Sequence, residues 1–67
     1  MVLHMGHAGN AIRAMRKAQG LSLRQLAALA EVEYGYLASV ERGEREPSDR
    51  WLKSVTNALG RNLSGAA

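Results

Sequence analysis

The chain has 67 residues, a formal net charge of +3 and no cysteine, so we expect one small domain without disulfides or thiolate-bound metal. Alanine and leucine are frequent, and no segment alternates apolar and polar residues as a β-strand does. No apolar run approaches the ~20 residues of a membrane span, and the N-terminus is too short and polar for a secretory signal, which favours a cytoplasmic protein.

Residues 1–9 hold small residues and two histidines, and they are predicted to form a flexible tail. His4 and His7 stand three residues apart, but a third ligand is missing, so neither a metal nor a cofactor is expected. The first helix is predicted to begin at Asn10, whose side chain can cap it, and to end at Gly20. Its inner face holds Ile12, Met15 and Gln19.

Two further helices are predicted between Ser22 and Gly43, with a sharp corner between them. Ser22 and Gln25 have the spacing of a capping box, which opens the second helix. The corner holds Glu31 where a glycine is more usual, because the chain there favours a positive φ. The apolar positions of the two helices are Leu26, Ala27, Ala30, Leu37 and Val40, with Tyr36 at the edge.

A fourth helix is predicted to begin after Ser48, a capping residue, and to end at Gly60. It buries Leu52, Val55 and Leu59, which are spaced by three and four residues. Trp51 lies beside this stripe and has two open interpretations, partial burial in the core or contact with a second subunit. The sequence therefore predicts an all-α domain of four or five short helices over residues 10–63, with tails at 1–9 and 64–67.

Charge is distributed unevenly along the chain. Residues 1–20 carry a net charge of +3, residues 21–47 carry −2, and residues 48–67 carry +2. The basic ends are compatible with a polyanionic partner. The acidic middle segment counts against nucleic-acid binding and slightly favours a protein-interaction module.

Motifs spread along most of the chain resemble the lambda-repressor-like family of helix-turn-helix domains, also called Cro/CI-type or XRE. The matching elements keep one register from Asn10 to about Leu63. They are Arg16, Gly20-Leu21-Ser22, Leu26-Ala27, Tyr36-Leu37, Glu41-Arg42-Gly43, Pro47-Ser48 and Ala58-Leu59-Gly60. The resemblance implies that the third helix enters the major groove of DNA while the second lies across the phosphates. It also implies a partly buried ion pair between Arg16 and Glu41.

Three residues depart from the pattern of the family. Glu31 replaces the preferred glycine at the corner, where a residue with a Cβ costs roughly 1 kcal/mol. Glu33 replaces the Ser or Thr that normally caps the third helix, and glutamate is expected to cap poorly. Leu23 stands where many members have a glutamine that binds a phosphate, so one backbone contact is expected to be missing.

The register of the family also assigns candidate DNA-binding residues. On the third helix these are Tyr34, Gly35, Ala38, Ser39 and Arg42, and no Asn, Gln or Arg stands in the middle of the helix for a strong bidentate base contact. We therefore expect modest base recognition and an affinity that depends on phosphate contacts. The candidates outside this helix are Arg24, Gln25, Arg45 and Arg50, with Arg13 or Lys17 as additional phosphate contacts.

The resemblance predicts a sequence-specific regulator of transcription that binds double-stranded DNA as a homodimer in the cytoplasm, at the nucleoid. Two alternatives remain open, an antitoxin-type regulator that binds both DNA and a protein, and a protein-interaction module on the same scaffold. Enzymatic activity is not expected, because no nucleophile motif, paired carboxylates or phosphate-binding glycine loop stands out.

Overall fold

The computed structural model describes residues 7–65, and the fold within this range consists of α-helices and their connections. The helices are α1 (His7–Ala18), α2 (Leu23–Ala30), α3 (Tyr34–Glu41) and α4 (Asp49–Gly65). The predicted all-α class with four helices is confirmed. None of these helices is both long and apolar enough to cross a membrane.

Helix α1 begins at His7, three residues before the predicted start at Asn10. Gly9 is buried, and a Cβ added there would lie 2.0 Å from the backbone oxygen of Val40. The first turn of α1 therefore lies directly on the backbone of α3, and residues 7–9, which were assigned to a tail, belong to the folded domain. His4 lies outside the described residues, and residues 7–65 contain no group of three metal-binding side chains.

The capping box predicted for α2 is present. Ser22 Oγ accepts a hydrogen bond from Gln25 N at 3.0 Å, and Gln25 Oε1 accepts one from Ser22 N at 2.8 Å. This closed pair satisfies two of the backbone donors that a helix leaves free at its N-terminus. It fixes where α2 starts, and therefore where its buried residues Leu26, Ala27 and Ala30 lie.

The corner between α2 and α3 keeps its left-handed geometry in spite of the glutamate. Glu31 has φ 58° and ψ 44°, and it is the one non-glycine residue of the described range with a positive φ. Val32 N donates to Ala27 O at 3.0 Å, which closes the end of α2. Packing of the half-buried Val32 against the core accompanies this turn. The strain of roughly 1 kcal/mol at Glu31 is thus offset by bonds and burial on both sides.

Helix α4 does not end at Gly60 but continues to Gly65, so the predicted stop was wrong. Gly60 has no positive φ, which is the conformation that would have ended the helix. Contacts with the rest of the domain extend the helix past the glycine. Asn62 Nδ2 donates to Gln19 Oε1 at 2.6 Å, and Gln19 Nε2 donates to Leu59 O at 3.0 Å.

Replacing Gly60 with alanine is expected to stabilise the protein by about 0.5–1 kcal/mol, because glycine inside a helix loses more backbone entropy on folding than alanine. A Cβ at Gly60 would have nothing within 4 Å, so no clash opposes the gain. Urea unfolding followed by circular dichroism measures the change. A loss of stability in this variant would show that residue 60 does not keep a helical conformation.

The core lies where all four helices meet. Its buried residues are Ile12, Leu26, Ala27, Ala30, Leu37, Val40, Val55, Ala58 and Leu59. Leu52 is half-buried against this core, and Met15 is 40% exposed instead of lying on the inner face of α1. Trp51 packs edge-to-face on Tyr36 with ring centroids 5.2 Å apart, which supports partial burial in the core.

Arg16 occupies the inner position on α1 that Met15 leaves. Its Nε lies 2.8 Å from Glu41 Oε2 and its Nη2 lies 2.8 Å from Glu41 Oε1, so the ion pair implied by the resemblance is present in bidentate form. Arg16 Nη1 also donates to Leu21 O at 2.9 Å. The hydrogen bonds to Glu41 raise the pKa of the guanidinium above its ordinary value. One side chain therefore joins α1 to both α3 and the start of α2.

Candidate nucleic-acid interface

Three side chains spaced by four residues form a stripe along α3. Tyr34 is 39% exposed, Arg42 just after the helix is exposed, and Ala38 between them is 9% exposed. Ala38 is part of a shallow cleft that Arg13 and Leu23 also line. In this stripe, Tyr34–Ala38–Arg42, the two end residues are therefore exposed to solvent, and the middle residue is buried in the cleft.

Arg24 and Tyr34 are joined by a stacking contact between α2 and α3. The guanidinium carbon of Arg24 lies 4.3 Å from the centre of the Tyr34 ring. Such a cation–π contact contributes roughly 0.5–1 kcal/mol at an exposed site. It orients both groups before any ligand arrives, while the hydrogens of the guanidinium stay free to donate.

Ser39 is not free to contact a ligand in this structure, and Gln25 has only its amide nitrogen available. The side chain of Gln25 is exposed, but its oxygen is engaged in the capping box of α2. Ser39 is 8% exposed, and its hydroxyl donates to Tyr36 O at 2.7 Å. The helical register places Ser39 away from the stripe, beneath the loop whose Glu44 N donates to Ser39 O at 2.9 Å.

Arg42 is held by an acidic neighbour. Its Nε lies 2.8 Å from Glu44 Oε2 and its Nη2 lies 2.9 Å from Glu44 Oε1, in an exposed ion pair. The hydrogen bond from Arg42 lowers the pKa of Glu44, so the carboxylate is charged at neutral pH. A phosphate that binds Arg42 must therefore compete with Glu44, a contact that the sequence did not indicate.

The other basic candidates lie at the protein surface, and of these Arg13 lines the same cleft as Ala38 and Arg42. Arg13 and Lys17 lie on the outer side of α1, Arg45 lies in the loop after α3, and Arg50 lies in the first turn of α4, and all four are exposed. Leu23, at the start of α2, is half-buried against the core and contributes no polar group to the cleft. Helix α1 thus brings the Arg13 cation to the cleft beside Ala38 and Arg42, whose own segment of the sequence carries a net negative charge.

Glu33 directly precedes Tyr34, the first residue of the stripe, and was not among the predicted site residues. It caps α3 with both carboxylate oxygens, which accept hydrogen bonds from Gly35 N at 2.9 Å and from Tyr36 N at 2.8 Å. The expectation of a poor cap was therefore wrong. The glycine two residues later was the available signal, because it leaves room for the longer side chain of glutamate.

Comparison with known proteins was made on sequence and on structure. The sequence model of a helix-turn-helix family matches residues 12–65. The transcriptional regulator ClgR of Mycobacterium tuberculosis is 41% identical over 56 residues, which make up 84% of this chain and 50% of that protein. The immunity repressor protein of Bacillus phage phi105 is also 41% identical over 56 residues, which cover 84% of this chain and 39% of the repressor.

The crystal structure of the clp gene regulator ClgR from C. glutamicum superposes with a TM-score of 0.78 and 42% identity, over 90% of this chain and 76% of that one. The chain spans about half the length of the ClgR sequence it matches. The match includes both capped helices, the corner at Glu31 and the stripe that follows it. Sequence, corner geometry and superposition agree, and the chain belongs to the lambda-repressor-like, Cro/CI-type family of helix-turn-helix domains.

Proposed function

We propose that this chain is the part of a transcriptional regulator that binds double-stranded DNA, with the Tyr34–Ala38–Arg42 stripe directed into the major groove. The observation that carries the proposal is the pair of exposed side chains, Tyr34 and Arg42, at the two ends of a stripe on a helix that follows a closed, sharply bent corner. In a helix-turn-helix domain this geometry lets α3 approach base edges while α2 lies across the backbone. Relatives described as a transcriptional regulator and an immunity repressor support this choice over a pure interaction module.

The base contacts available on the stripe are weak. Tyr34 offers a hydroxyl and an aromatic ring, and Ala38 offers one methyl group. Neither makes the bidentate contact that distinguishes bases by about 1–3 kcal/mol. Arg24, Arg42, Arg45 and Arg50 are therefore proposed to supply most of the affinity through phosphates, with Arg13 or Lys17 in addition.

The regulator is proposed to bind as a homodimer at the nucleoid, on an operator with two-fold symmetry. Helix-turn-helix dimers place their recognition helices about 34–36 Å apart, one turn of DNA. Leu29 on α2 and Leu63 on α4 are 41% and 66% exposed, and these apolar side chains are available for association. Selection of bound sequences from a random DNA pool tests this point, because a dimer enriches a palindrome and a monomer enriches a single half-site.

The Arg42–Glu44 pair gives a two-sided test of the phosphate contact. Arg42→Ala is expected to weaken binding roughly three- to tenfold and to reduce the slope of log K against log salt by about 1. Glu44→Gln is expected to strengthen binding by a similar factor, because it removes the competing carboxylate and one negative charge. Fluorescence polarisation over a range of salt concentrations measures both effects.

Arg61→Ala is the charge-matched control for this test, since it removes another exposed arginine near the far end of α4. Because Arg61 Nη2 lies 3.5 Å from the backbone oxygen of Leu29, the control is compared under conditions in which its oligomeric state matches that of the wild type. It should change affinity little at moderate salt. The phosphate-contact model fails if Arg42→Ala and Arg61→Ala behave alike and Glu44→Gln has no effect. Absence of binding to any DNA in the random pool would contradict the proposed function itself.

A further inference from the structure

The carboxylate at the tip of α3 is fixed in one orientation. Glu33 has φ −74° and ψ 131°, and its two oxygens accept hydrogen bonds from two successive backbone amides, Gly35 N and Tyr36 N. A surface glutamate normally samples many rotamers, and this bidentate cap removes that freedom. Each carboxylate oxygen has two acceptor positions, so each keeps one for a further donor.

The surroundings of Glu33 keep this carboxylate accessible. Glu33 and the neighbouring Tyr34 and Gly35 are all exposed. A Cβ at Gly35 would lie 3.1 Å from Glu33 Oε2 and 3.4 Å from Oε1, so the glycine leaves the carboxylate less crowded than any other residue would. The first turn of α3 therefore presents an oriented acceptor, with no side chain beside it at residue 35.

An acceptor at this place has few partners on DNA. The N-terminal residues of a recognition helix are the ones that contact base edges in the major groove. Guanine presents only acceptors there, thymine presents an acceptor and a methyl group, and both repel or exclude a carboxylate. The adenine amino donor lies between two acceptors, its own N7 and the O4 of the paired thymine, whereas the cytosine N4 amino donor has an acceptor on one side only, the O6 of the paired guanine. The carboxylate is also repelled by phosphates, so it is better suited to a base edge than to the backbone.

We propose that Glu33 determines sequence specificity by accepting a hydrogen bond from the N4 amino group of one cytosine in each half-site. This inference rests on the proposed function, since it requires that α3 enters the major groove. It gives the interface the specific base contact that Tyr34 and Ala38 do not supply. Glu33 lowers the general affinity for DNA through its charge and raises the preference for one base pair.

Glu33→Asp is the main test, because aspartate is a favoured cap and keeps the charge while withdrawing the carboxylate by one methylene group. Sequences bound by the wild type are selected from a random pool, and the affinity for each base at the enriched position is then measured for both proteins. The wild type is expected to prefer cytosine about tenfold over the other bases, and Glu33→Asp is expected to lose that preference. Its thermal unfolding should remain at or above that of the wild type.

Glu31→Gln is the matched control, since it removes an exposed carboxylate two residues earlier that makes no bond to the α3 amides. It should keep the cytosine preference and show only a modest rise in affinity for all sequences. Glu33→Gln should show the same rise together with loss of the preference. An unchanged cytosine preference in Glu33→Asp and Glu33→Gln, or no cytosine enrichment by the wild type, overturns the inference and leaves DNA binding intact. Failure of the wild type to bind DNA overturns the proposed function instead.

Discussion

Replacing Gly9 with alanine is expected to destabilise the domain by about 3 kcal/mol, the upper end of the cost of overpacking a core. The added Cβ would lie 2.0 Å from Val40 O, 2.9 Å from Val40 C and 3.1 Å from Glu41 Cα. All three are backbone atoms of α3, so no side chain can rotate away to make room. Helix α1 must move off α3 as a body, and the burial of Ile12 and the Arg16–Glu41 pair are weakened together.

Thermal unfolding followed by circular dichroism measures this loss. For a domain of 60–100 residues a change of 1 kcal/mol shifts Tm by roughly 4–8 °C, so Gly9→Ala should lower Tm by roughly 12–24 °C. Gly60→Ala is the matched control, because it makes the same substitution in a helix with nothing within 4 Å of the new Cβ. Effects of opposite sign are expected. Equal effects of the two substitutions would mean that the N-terminal turn of α1 does not lie against Val40.

The two glycines also show why the helix ends were harder to predict than the helices. Gly9 looked like part of a tail and Asn10 like a cap, because sequence shows no sign that a backbone from α3 passes within contact distance. Gly60 looked like a stop, but a glycine ends a helix only when it takes a positive φ. A hydrogen bond that Gln19 donates to Leu59 O, and one that it accepts from Asn62 Nδ2, instead hold the segment after Gly60 in the helix. Both outcomes depend on contacts between helices that are distant in sequence.

The interior of the domain was more predictable, because it follows helical periodicity. Leu26, Leu37 and Val55 are all fully buried, as their spacing predicts. Periodicity is less reliable where two adjacent residues compete for one face. Met15 was assigned inward, yet Arg16 takes the inner position since its guanidinium finds Glu41 there, and the family resemblance, not the apolar pattern, indicated that pair.

At the candidate interface the sequence predicted which positions of α3 are exposed, but it did not predict the contacts that their side chains make within the protein. Tyr34 and Arg42 are exposed as expected, but the register of one helix could not show that Ser39 lies under the following loop. The pairing of Arg42 with Glu44 depends on the path of the chain after α3. Average preferences rank glutamate low as a helix cap. The two hydrogen bonds that the Glu33 carboxylate accepts depend on the particular neighbour at residue 35.

Replacing Arg16 with methionine is expected to cost about 3–5 kcal/mol, because it leaves the Glu41 carboxylate without its partner. The two side chains are only 11% and 5% exposed, so water cannot replace the lost hydrogen bonds. The carbonyl of Leu21 loses a donor as well. A chain of this size has a total stability of roughly 3–10 kcal/mol, so the substitution should remove about a third or more of the free energy of unfolding, which urea unfolding at 25 °C measures.

A double variant distinguishes the free-energy cost of leaving the Glu41 carboxylate unpaired from the cost of lost side-chain packing. In Arg16→Met/Glu41→Leu no charge remains to be desolvated, and replacement of a buried ion pair by apolar groups is often neutral or stabilising. The double variant should therefore be more stable than Arg16→Met alone, and Arg13→Met, on the exposed side of the same helix, should change stability by less than about 0.5 kcal/mol. If the double variant is as unstable as the single one, the geometry of Arg16 rather than its charge holds α1 to α3. In either case the pair ends one residue before Arg42, so the same bond that joins the helices also fixes the position of the last residue of the candidate interface.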